Sequence, residues 1–423
     1  MKYLKKLKKI RFNEFRRLED YLVILIFLSF IFSNFFTYNF HIFKYSLFDV
    51  LILLGLPFLL KNISSLSNSN FQKIFICLFV YLFLRLIFDL VYNYEELDEF
   101  IITKKILLFG QFVRSSLIFL IFYLILLKKE HFIKLIIDIF TIYAILIIAI
   151  YVFDIVSGFS IVTMRSEDIR LRGFFRDPNF LSMFSTYFLL FTLILRLNKT
   201  YIILFGFVTL LTYSKTAFIC LIILIIYFSF INFQDLKKKI GFEKQLLFSV
   251  IIILFIFLSY IIFDMILYNL YVGEYIPKTR FYTFFDLFSQ SRFIMLKDFL
   301  AQDINLLFGE GFYSITNYSM QKYNNFSHNS FMDIYFDFGL IGLYLCIYLY
   351  FKVLYFKIKI ENINYVFFIF LKLIITTIYL FNFSIIYLPY IWFFMAISST
   401  LILKTNYFKT IRVWFVPFLF LLK

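Results

Sequence analysis

Charged residues are scarce in this chain of 423 residues: they make up 16% of the sequence, whereas hydrophobic residues make up 62%. The mean hydropathy is +0.88. A soluble domain of this length needs more polar surface to cover itself, so the composition excludes that class and indicates that lipid is the solvent for much of the chain. We therefore expect an all-α polytopic membrane protein.

Cysteine and histidine are also rare, with three residues of each. Cys77, Cys220 and Cys346 are scattered inside apolar runs, where they are expected to be small buried hydrophobes, so neither a disulfide framework nor a thiol metal site is implied. No second histidine or acidic pair stands at metal-ligand spacing from His328. The sequence therefore predicts no bound metal and no other cofactor.

Basic residues dominate the charge, and the formal net charge is +16. They cluster in short segments between apolar runs, which is typical of cytoplasmic loops and argues against a nucleic-acid partner. Residues 1–20 are basic and amphipathic, and no small-residue cleavage site follows them, so we expect a cytoplasmic anchor. A single transmembrane domain (21–403) and a cytoplasmic tail (404–423) should follow.

A helix needs about 20 apolar residues to span a bilayer, and the apolar runs predict about 12 transmembrane helices, with a range of about 10–12 because some runs are short. The runs are 21–38, 45–60, 71–92, 106–127, 133–156, 179–196, 200–214, 216–233, 246–268, 332–351, 363–384 and 387–403. Glycine and proline rarely interrupt them. Alternation from a cytoplasmic N-terminus leaves two notable external loops, 157–178 and the large loop 269–331, and predicts that the chemistry lies on the non-cytoplasmic face.

The first external loop contains Arg165, Arg170, Arg172 and Arg176, on a face that is normally depleted of positive charge. Guanidinium groups match phosphate oxygens, and the following Asp-Pro-Asn predicts a helix start whose N–H groups can bind an anion. Lys215, in a tight turn between two runs, is a candidate second cation. The alternatives are a rim that binds lipid headgroups and a lysine that only extends to the membrane surface.

The large loop contains Arg292 and ends with His328 and Asn329, where the chain re-enters the membrane. Asp333 and Asp337 follow one helical turn apart and so share a face. A histidine near a carboxylate can accept a proton from a hydroxyl group at neutral pH, which makes His328 a candidate base with Asp333 nearby. The alternative is an interfacial histidine with structural hydrogen bonds only.

Some charges fall within the apolar runs. Arg85 and Asp89 are four residues apart and predict an ion pair on one helix face. Arg114 and Lys372 lie deeper in their runs, and because intramembrane charge is costly we expect them to face a polar cavity or a lipid phosphate.

Several of these motifs occur in an order and spacing that resemble the O-antigen polymerase/ligase superfamily. They are RGFFRDPN at 172–179, LTYSK at 211–215, Arg292, GEGF at 309–312, and the stretch 328–342, which begins His-Asn and ends Gly-Leu-Ile-Gly. The resemblance covers about 165–345. It implies a multi-pass glycosyltransferase of the C type (GT-C-like), independent of metal, in a bacterial cytoplasmic membrane with both termini inside. The favoured activity is polymerisation of repeat units into O-antigen or capsular polysaccharide.

The resemblance also implies roles for single residues. Arg170 or Arg172, with Arg176, would hold the diphosphate of an undecaprenyl-linked glycan donor, and His328 would activate the acceptor hydroxyl. Lys215 stands where the family usually has arginine, which keeps the charge but loses the bidentate geometry. Further contacts to phosphate or glycan would come from Arg165, Arg292 and Asn329. The implied partners are undecaprenyl-diphosphate-linked glycans and membrane lipids, with a chain-length regulator and a flippase as further candidates.

Three alternatives to a polymerase stay open. A ligase of the same superfamily would move finished glycan onto lipid A–core or a protein. A lipid-linked oligosaccharide flippase or transporter would have charged residues along a through-path and broken helices at the membrane midplane. A structural scaffold would leave the external arginines unexplained.

Overall fold

The computed structural model of the chain describes residues 18–32, 37–40, 43–62, 70–92, 99–129, 131–165, 169–175, 177–195, 197–236, 291–323, 329–354, 363–382 and 389–403. These residues are mostly helical. The predicted tails, apart from residues 18–20 of the first, lie outside the described residues, and so does His328.

Helices are numbered here in chain order. They are α1 (Leu18–Ile31), α2 (Leu47–Asn62), α3 (Asn70–Tyr92), α4 (Glu99–Lys128), α5 (His131–Ser157), α6 (Pro178–Ile194), α7 (Lys199–Leu211), α8 (Lys215–Leu236), α9 (Ser291–Leu300), α10 (Ser314–Tyr323), α11 (Ser330–Leu354), α12 (Ile363–Asn382) and α13 (Pro389–Leu403). Two antiparallel hairpins complete the described elements: β1 (Thr37–Phe40) with β2 (Phe43–Ser46), and β3 (Thr163–Arg165) with β4 (Ile169–Leu171).

Each predicted apolar run coincides with one of these helices, except 246–268, which lies outside the described residues. Among the described residues, three helical segments are long and apolar enough to cross a membrane: Glu99–Leu126, His131–Ser157 and Ser330–Leu349. The shorter apolar helices add to this pattern, which fits an all-α membrane protein. The full number of spans and the GT-C-like arrangement stay predictions.

The chain divides into two compact units. Unit 1 comprises residues 1–30, 36–134 and 291–412, and unit 2 comprises residues 31–35, 135–290 and 413–423. The predicted candidates are distributed between them: the arginines of the loop 157–178 and Lys215 belong to unit 2, whereas Arg292, His328, Asn329 and Asp333 belong to unit 1.

The core of unit 1 is centred on α4 and α13. Aromatic rings interlock between the two helices, with Phe122 and Phe393 centroids 4.8 Å apart and Phe112 and Trp392 centroids 5.6 Å apart. Buried hydroxyl groups on both helices, such as those of Ser116 and Ser398, donate to the carbonyl one turn earlier. Small residues with self-satisfied hydroxyls let two apolar helices approach closely where no water can enter.

The core of unit 2 is built from phenylalanines. Phe140 of α5 stacks on Phe188 of α6 with ring centroids 4.3 Å apart and also contacts Phe205 of α7 at 5.4 Å. Phe175, which follows the β3–β4 hairpin, contacts Phe184 of α6 at 4.8 Å. These ring contacts hold the loop after β4 against the helices, because offset and edge-to-face aromatic pairs add to the free energy gained by burial.

Part of the predicted large loop is helical. Helices α9 and α10 pack on the first half of α11 around a small core of Met295, Phe299, Ile315, Met332 and Phe336. Because this core includes the beginning of α11, the helix contributes both to the loop and to the apolar run that follows it.

Candidate functional site

The arginine loop of unit 2 is a hairpin held by a buried carboxylate. Asp154, near the end of α5, accepts hydrogen bonds from the backbone N–H groups of Val162 (2.8 Å) and Thr163 (3.1 Å) and from the Thr163 hydroxyl (3.2 Å). The carboxylate is fully buried. Hydrogen bonds of this kind offset the cost of removing a carboxylate from water, so Asp154 fixes where β3 begins.

A glycine and a tyrosine fix the other end of the hairpin. Gly173 has φ of +60°, and a Cβ atom there would collide with the Tyr143 hydroxyl oxygen. That oxygen accepts a hydrogen bond from the Phe174 backbone N–H at 3.0 Å. The close approach explains why glycine stands between Arg172 and Phe174, since only glycine adopts this backbone conformation without strain.

Arg170 joins the hairpin to the turn that precedes Lys215. Its Nε donates to the Thr212 carbonyl oxygen at 2.9 Å, and its Nη2 donates to Asn179 Oδ1 at 3.2 Å. Only 4% of the residue is exposed. The structure therefore brings two of the predicted motifs together within unit 2, and it uses much of the Arg170 guanidinium to do so.

Arg172 differs from Arg170 in what its side chain contacts. It is partly exposed, its Nη2 makes a long contact of 3.4 Å to the Ser160 carbonyl oxygen, and its buried Nε has no hydrogen-bond acceptor among the described residues. Strand β4 ends at the buried Leu171, so Arg172 lies beyond the strand, where the alternation that would place it on the same side as Arg170 no longer applies. Within the described residues, the Arg172 side chain therefore makes fewer hydrogen bonds than that of Arg170.

The two helix starts beside the hairpin differ in their first residues. Asp177 is the N-cap of α6, with Pro178 in the first turn, as the Asp-Pro-Asn sequence predicts, and its carboxylate accepts the Asn179 N–H at 2.7 Å. The carboxylate thus occupies the position that we expected an anion to take. Lys215 is the first residue of α8, follows the buried Ser214, and is half-buried. The Arg165 side chain and all of Arg176 lie outside the description.

Unit 1 contains an interrupted helix. Helix α11 breaks at Gly339, where φ is +63° and ψ is −165°. The break leaves backbone groups without partners in the helix, and a neighbouring turn binds them: Glu310 N–H donates to the Phe336 carbonyl and Gly311 N–H to the Asp337 carbonyl, both at 2.8 Å. Glycine was expected to interrupt the runs only rarely, and Gly339 is such an interruption, because a positive φ ends α-helical hydrogen bonding.

A cluster of three charged residues bonds to the backbone of the same turn, which contains the Gly-Glu-Gly-Phe motif at 309–312. The predicted pair is present, with Arg85 Nη2 3.2 Å from Asp89 Oδ1, and Lys105 Nζ joins it at 3.6 Å from Asp89 Oδ2. Asp89 accepts the Phe312 N–H at 3.0 Å, and Arg85 donates to the Gly309 carbonyl at 2.8 Å. Asp89 is fully buried, so the two cations and the backbone donor together stabilise its charge.

The other candidates of unit 1 have structural contacts. Asn329 caps α11, since its Oδ1 accepts the N–H groups of Phe331 (3.0 Å) and Met332 (3.1 Å). Asp337 is fully buried and accepts the Ile315 N–H at 3.0 Å, near the start of α10, whereas Asp333 is 2% exposed. The two carboxylates lie on one helical turn, as predicted. The backbone of Arg292 lies in α9, but its side chain lies outside the description.

The deeper charges follow two patterns. Arg114 pairs with Asp49 at 2.8 Å, so the protein itself supplies the anion for which we expected a cavity or a lipid phosphate. Lys372 is fully buried, and its Nζ makes no hydrogen bond within the part of the chain that is described.

Among the described residues, no group of three His, Cys, Asp or Glu side chains could hold a metal ion.

An exposed ion pair links α9 and α10. Lys322 Nζ lies 2.6 Å from Asp298 Oδ2, and the Tyr323 hydroxyl also donates to this carboxylate. Hydrogen bonds from Lys322 and Tyr323 lower the pKa of Asp298, and the hydrogen bond to Asp298 raises the pKa of Lys322. The pair therefore stays ionised near neutral pH.

Sequence reasoning missed Tyr143, Asp154 and Lys105. Each lies in a largely apolar helix, and its partner is far away in sequence or lies in a loop. The only local signal was the cost of placing such a group in a membrane segment, which predicts some partner without naming it. Comparison with known proteins adds no further assignment: no family model, no curated protein and no solved structure matches the chain.

Proposed function

We propose that this protein is a metal-independent membrane glycosyltransferase that polymerises undecaprenyl-diphosphate-linked oligosaccharide repeat units on the outer face of the bacterial cytoplasmic membrane. The observation that carries the proposal is the partly exposed Arg172 guanidinium, which makes one long hydrogen bond among the described residues while Arg170 and Asp154 fix the loop around it. A preorganised guanidinium suits a diphosphate because its donors match the phosphate oxygens.

The chemistry needs a proton acceptor and a charge-stabilised leaving group. In the proposed reaction, the acceptor sugar hydroxyl attacks the anomeric carbon of the donor and passes its proton to the His328 imidazole. The carbon–oxygen bond to undecaprenyl diphosphate breaks as the new glycosidic bond forms. The leaving diphosphate gains negative charge, and Arg172, with Arg176 and Lys215 in support, neutralises it in the role that a divalent ion has in other enzymes.

The interrupted helix α11 favours a second candidate function, because discontinuous helices line the sites of many transporters. In those proteins the freed backbone groups contact the cargo. Here the turn at 306–311 binds backbone groups on both sides of the break, and Tyr81 donates to the Phe338 carbonyl at 2.8 Å. These contacts favour a structural joint, so we rank a flippase or transporter below a polymerase. A ligase uses the same chemistry and differs only in its acceptor.

Replacement of Arg172 or His328 by alanine tests the mechanism. Long glycan should disappear and single lipid-linked repeat units should accumulate, as seen in a glycan size profile of the host strain. Lys199→Ala provides the matched control, because Lys199 is an exposed cation of unit 2 that begins α7, at the opposite end of that helix from the Thr212 turn. Normal glycan length in both variants at normal protein levels would exclude the mechanism.

A deletion strain separates the candidate functions. A polymerase deletion should leave single repeat units on the surface, because transfer to the final acceptor continues. A ligase deletion should leave no surface glycan but long lipid-linked chains. Loss of repeat units from the outer leaflet, with the units retained on the inner leaflet, would instead support a transporter.

A further inference from the structure

An apolar surface lies around the break in α11. Leu306, Leu307 and Phe308 are consecutive and 58%, 55% and 45% exposed, respectively. Leu340 and Tyr344 of α11 are 48% and 64% exposed. Backbone hydrogen bonds join the segment 306–308 to α11 directly, so these five residues, here called the apolar tip, form one continuous exposed surface.

The turn that carries the tip satisfies its own backbone. Asn305 Oδ1 accepts the N–H groups of Leu307 (3.2 Å) and Phe308 (3.1 Å), and the Asn305 carbonyl accepts the Gly309 N–H at 2.7 Å. The Asn305 N–H donates in turn to the Glu310 carboxylate at 2.8 Å. A single residue, Asn305, therefore organises the donors of the turn.

The carbonyl groups of the turn are also paired. The Leu306 carbonyl accepts the Leu340 N–H at 2.8 Å, and the Leu307 carbonyl accepts the Ile341 N–H at 3.2 Å. Non-helical backbone is tolerated at membrane depth only where its polar groups have protein partners, because each unpaired group is costly in hydrocarbon. A loop in water has no such need, since water satisfies its backbone.

We propose that the apolar tip inserts into the hydrocarbon of the membrane leaflet next to the first half of α11. Exposed consecutive apolar side chains, paired backbone groups and continuity with the outer surface of an apolar helix together distinguish lipid from water as its surroundings. By the predicted topology this is the outer leaflet. The inference does not depend on the proposed enzymatic function; it assigns a membrane-inserted turn to a loop that hydropathy places outside the membrane.

Depth-dependent fluorescence quenching tests the insertion. Phe308→Cys carries an environment-sensitive fluorophore in a background with Cys77, Cys220 and Cys346 replaced by alanine, and the protein is placed in phosphatidylcholine vesicles. Ile142→Cys serves as the lipid-facing reference, because Ile142 lies outside the tip and is 69% exposed within the long apolar helix α5. Met320→Cys serves as the aqueous reference, because Met320 is 37% exposed on α10 between polar residues. If the cysteine-free protein does not fold, the variants are made in the parent chain. The fluorescence of the labelled parent chain is then subtracted from that of each variant.

A label at Phe308 should resemble the label at Ile142: blue-shifted, quenched by doxyl groups on the lipid chains, and protected from iodide in water. Shallow doxyl groups should quench it more than deep ones, since inserted segments of this kind reach about 5–10 Å below the headgroups. Leu307→Cys should give the same result, which keeps the test valid if Phe308→Cys misfolds. Iodide quenching equal to that at Met320 would overturn the proposal. Protection from both quenchers would also overturn it, because a second copy or another protein segment would then cover the tip.

Discussion

Each unit uses a buried carboxylate to hold a loop in place, but different groups stabilise the two carboxylates. In unit 2, Asp154 accepts two backbone N–H groups and a hydroxyl and so fixes the hairpin. In unit 1, Asp89 accepts one backbone N–H and pairs with Arg85 and Lys105. When the donors are neutral, replacing the carboxylate by a neutral acceptor leaves no buried charge without a counterion. In an ion cluster, the same replacement leaves the cations unpaired. The comparison also distinguishes two arginines: Arg85 pairs with a carboxylate, whereas Arg172 makes one long hydrogen bond to a carbonyl oxygen among the described residues.

The largest effect should follow from Asp89→Asn. The change leaves Arg85 and Lys105 without their anion, and removal of one member of a buried ion pair costs about 3–5 kcal/mol. Asp154→Asn keeps an oxygen acceptor and should cost about 1–2 kcal/mol. Thermal unfolding of both variants in detergent measures the difference.

The additional replacement of Lys105 by methionine should recover part of the stability lost in Asp89→Asn. The same replacement should recover nothing in Asp154→Asn, which lies in the other unit. If Asp89→Asn and Asp154→Asn lose the same stability, Arg85 and Lys105 do not determine the cost of replacing the Asp89 carboxylate.

Gly311→Ala should have the next largest effect. Gly311 has φ of +93°, and a Cβ atom there would overlap the Asp89 carboxylate. The strained backbone and the displaced carboxylate together should cost about 2–4 kcal/mol. Gly110→Ala is the matched control, because a Cβ atom at this helical position meets nothing within 4 Å. Unfolding temperatures should fall for Gly311→Ala only.

Alanine variants of Arg170 and Arg172 should differ in stability, because the two side chains make different contacts. Arg170→Ala removes the hydrogen bonds to Thr212 and Asn179 and should cost about 1.5–3 kcal/mol. Arg172→Ala should change stability by less than about 0.5 kcal/mol. The same unfolding measurement tests both, and a large loss of stability in Arg172→Ala would mean that its side chain is structural.

The exposed pair between α9 and α10 should give the smallest effect, as a dependence on pH. The pKa of Asp298 is lowered, so its contribution to stability is present above the unfolded value of 3.8 and is lost as the pH falls through the folded value. The pKa of Lys322 is raised, so its contribution is present below 10.5 and is lost as the pH rises further. Hydrogen exchange of α10, corrected for intrinsic rates, should show both limits. Lys322→Met should abolish the limit at high pH and weaken the limit at low pH, because the Tyr323 hydroxyl still donates to Asp298.

Local patterns predicted what depends on neighbours in the sequence. Apolar runs located the described helices, Asp-Pro-Asn located the start of α6, and the four-residue spacing of Arg85 and Asp89 located an ion pair. These features follow from helix periodicity and capping, which act within a few residues. The predicted roles of Arg170 and Arg172 were interchangeable because the sequence alone does not reveal which of them faces the turn at Thr212.

Contacts between distant segments could not be predicted in this way. Lys105 joins Asp89 from another helix, and the turn at 306–311 binds α11 through backbone groups, which carry no residue identity. Gly339 looks like any small residue in an apolar run, since nothing local specifies the sign of its φ. Predictions of function had a similar limit, because residue type does not reveal which groups a side chain contacts. Asparagine can form hydrogen bonds with a sugar, yet the Asn329 amide oxygen caps α11.

The interruption at Gly339 has a consequence for membrane thickness. Residues 340–354 form about 22 Å of helix, whereas the hydrocarbon core of a bilayer is about 30 Å thick. The described half-helix after the break is shorter than this thickness, although the whole segment Ser330–Leu349 is long and apolar enough to cross. Either the bilayer thins locally at this place, or side chains outside the half-helix fill the remaining apolar depth. Where a leaflet is thinner, the lipid headgroups lie closer to the residues above the membrane.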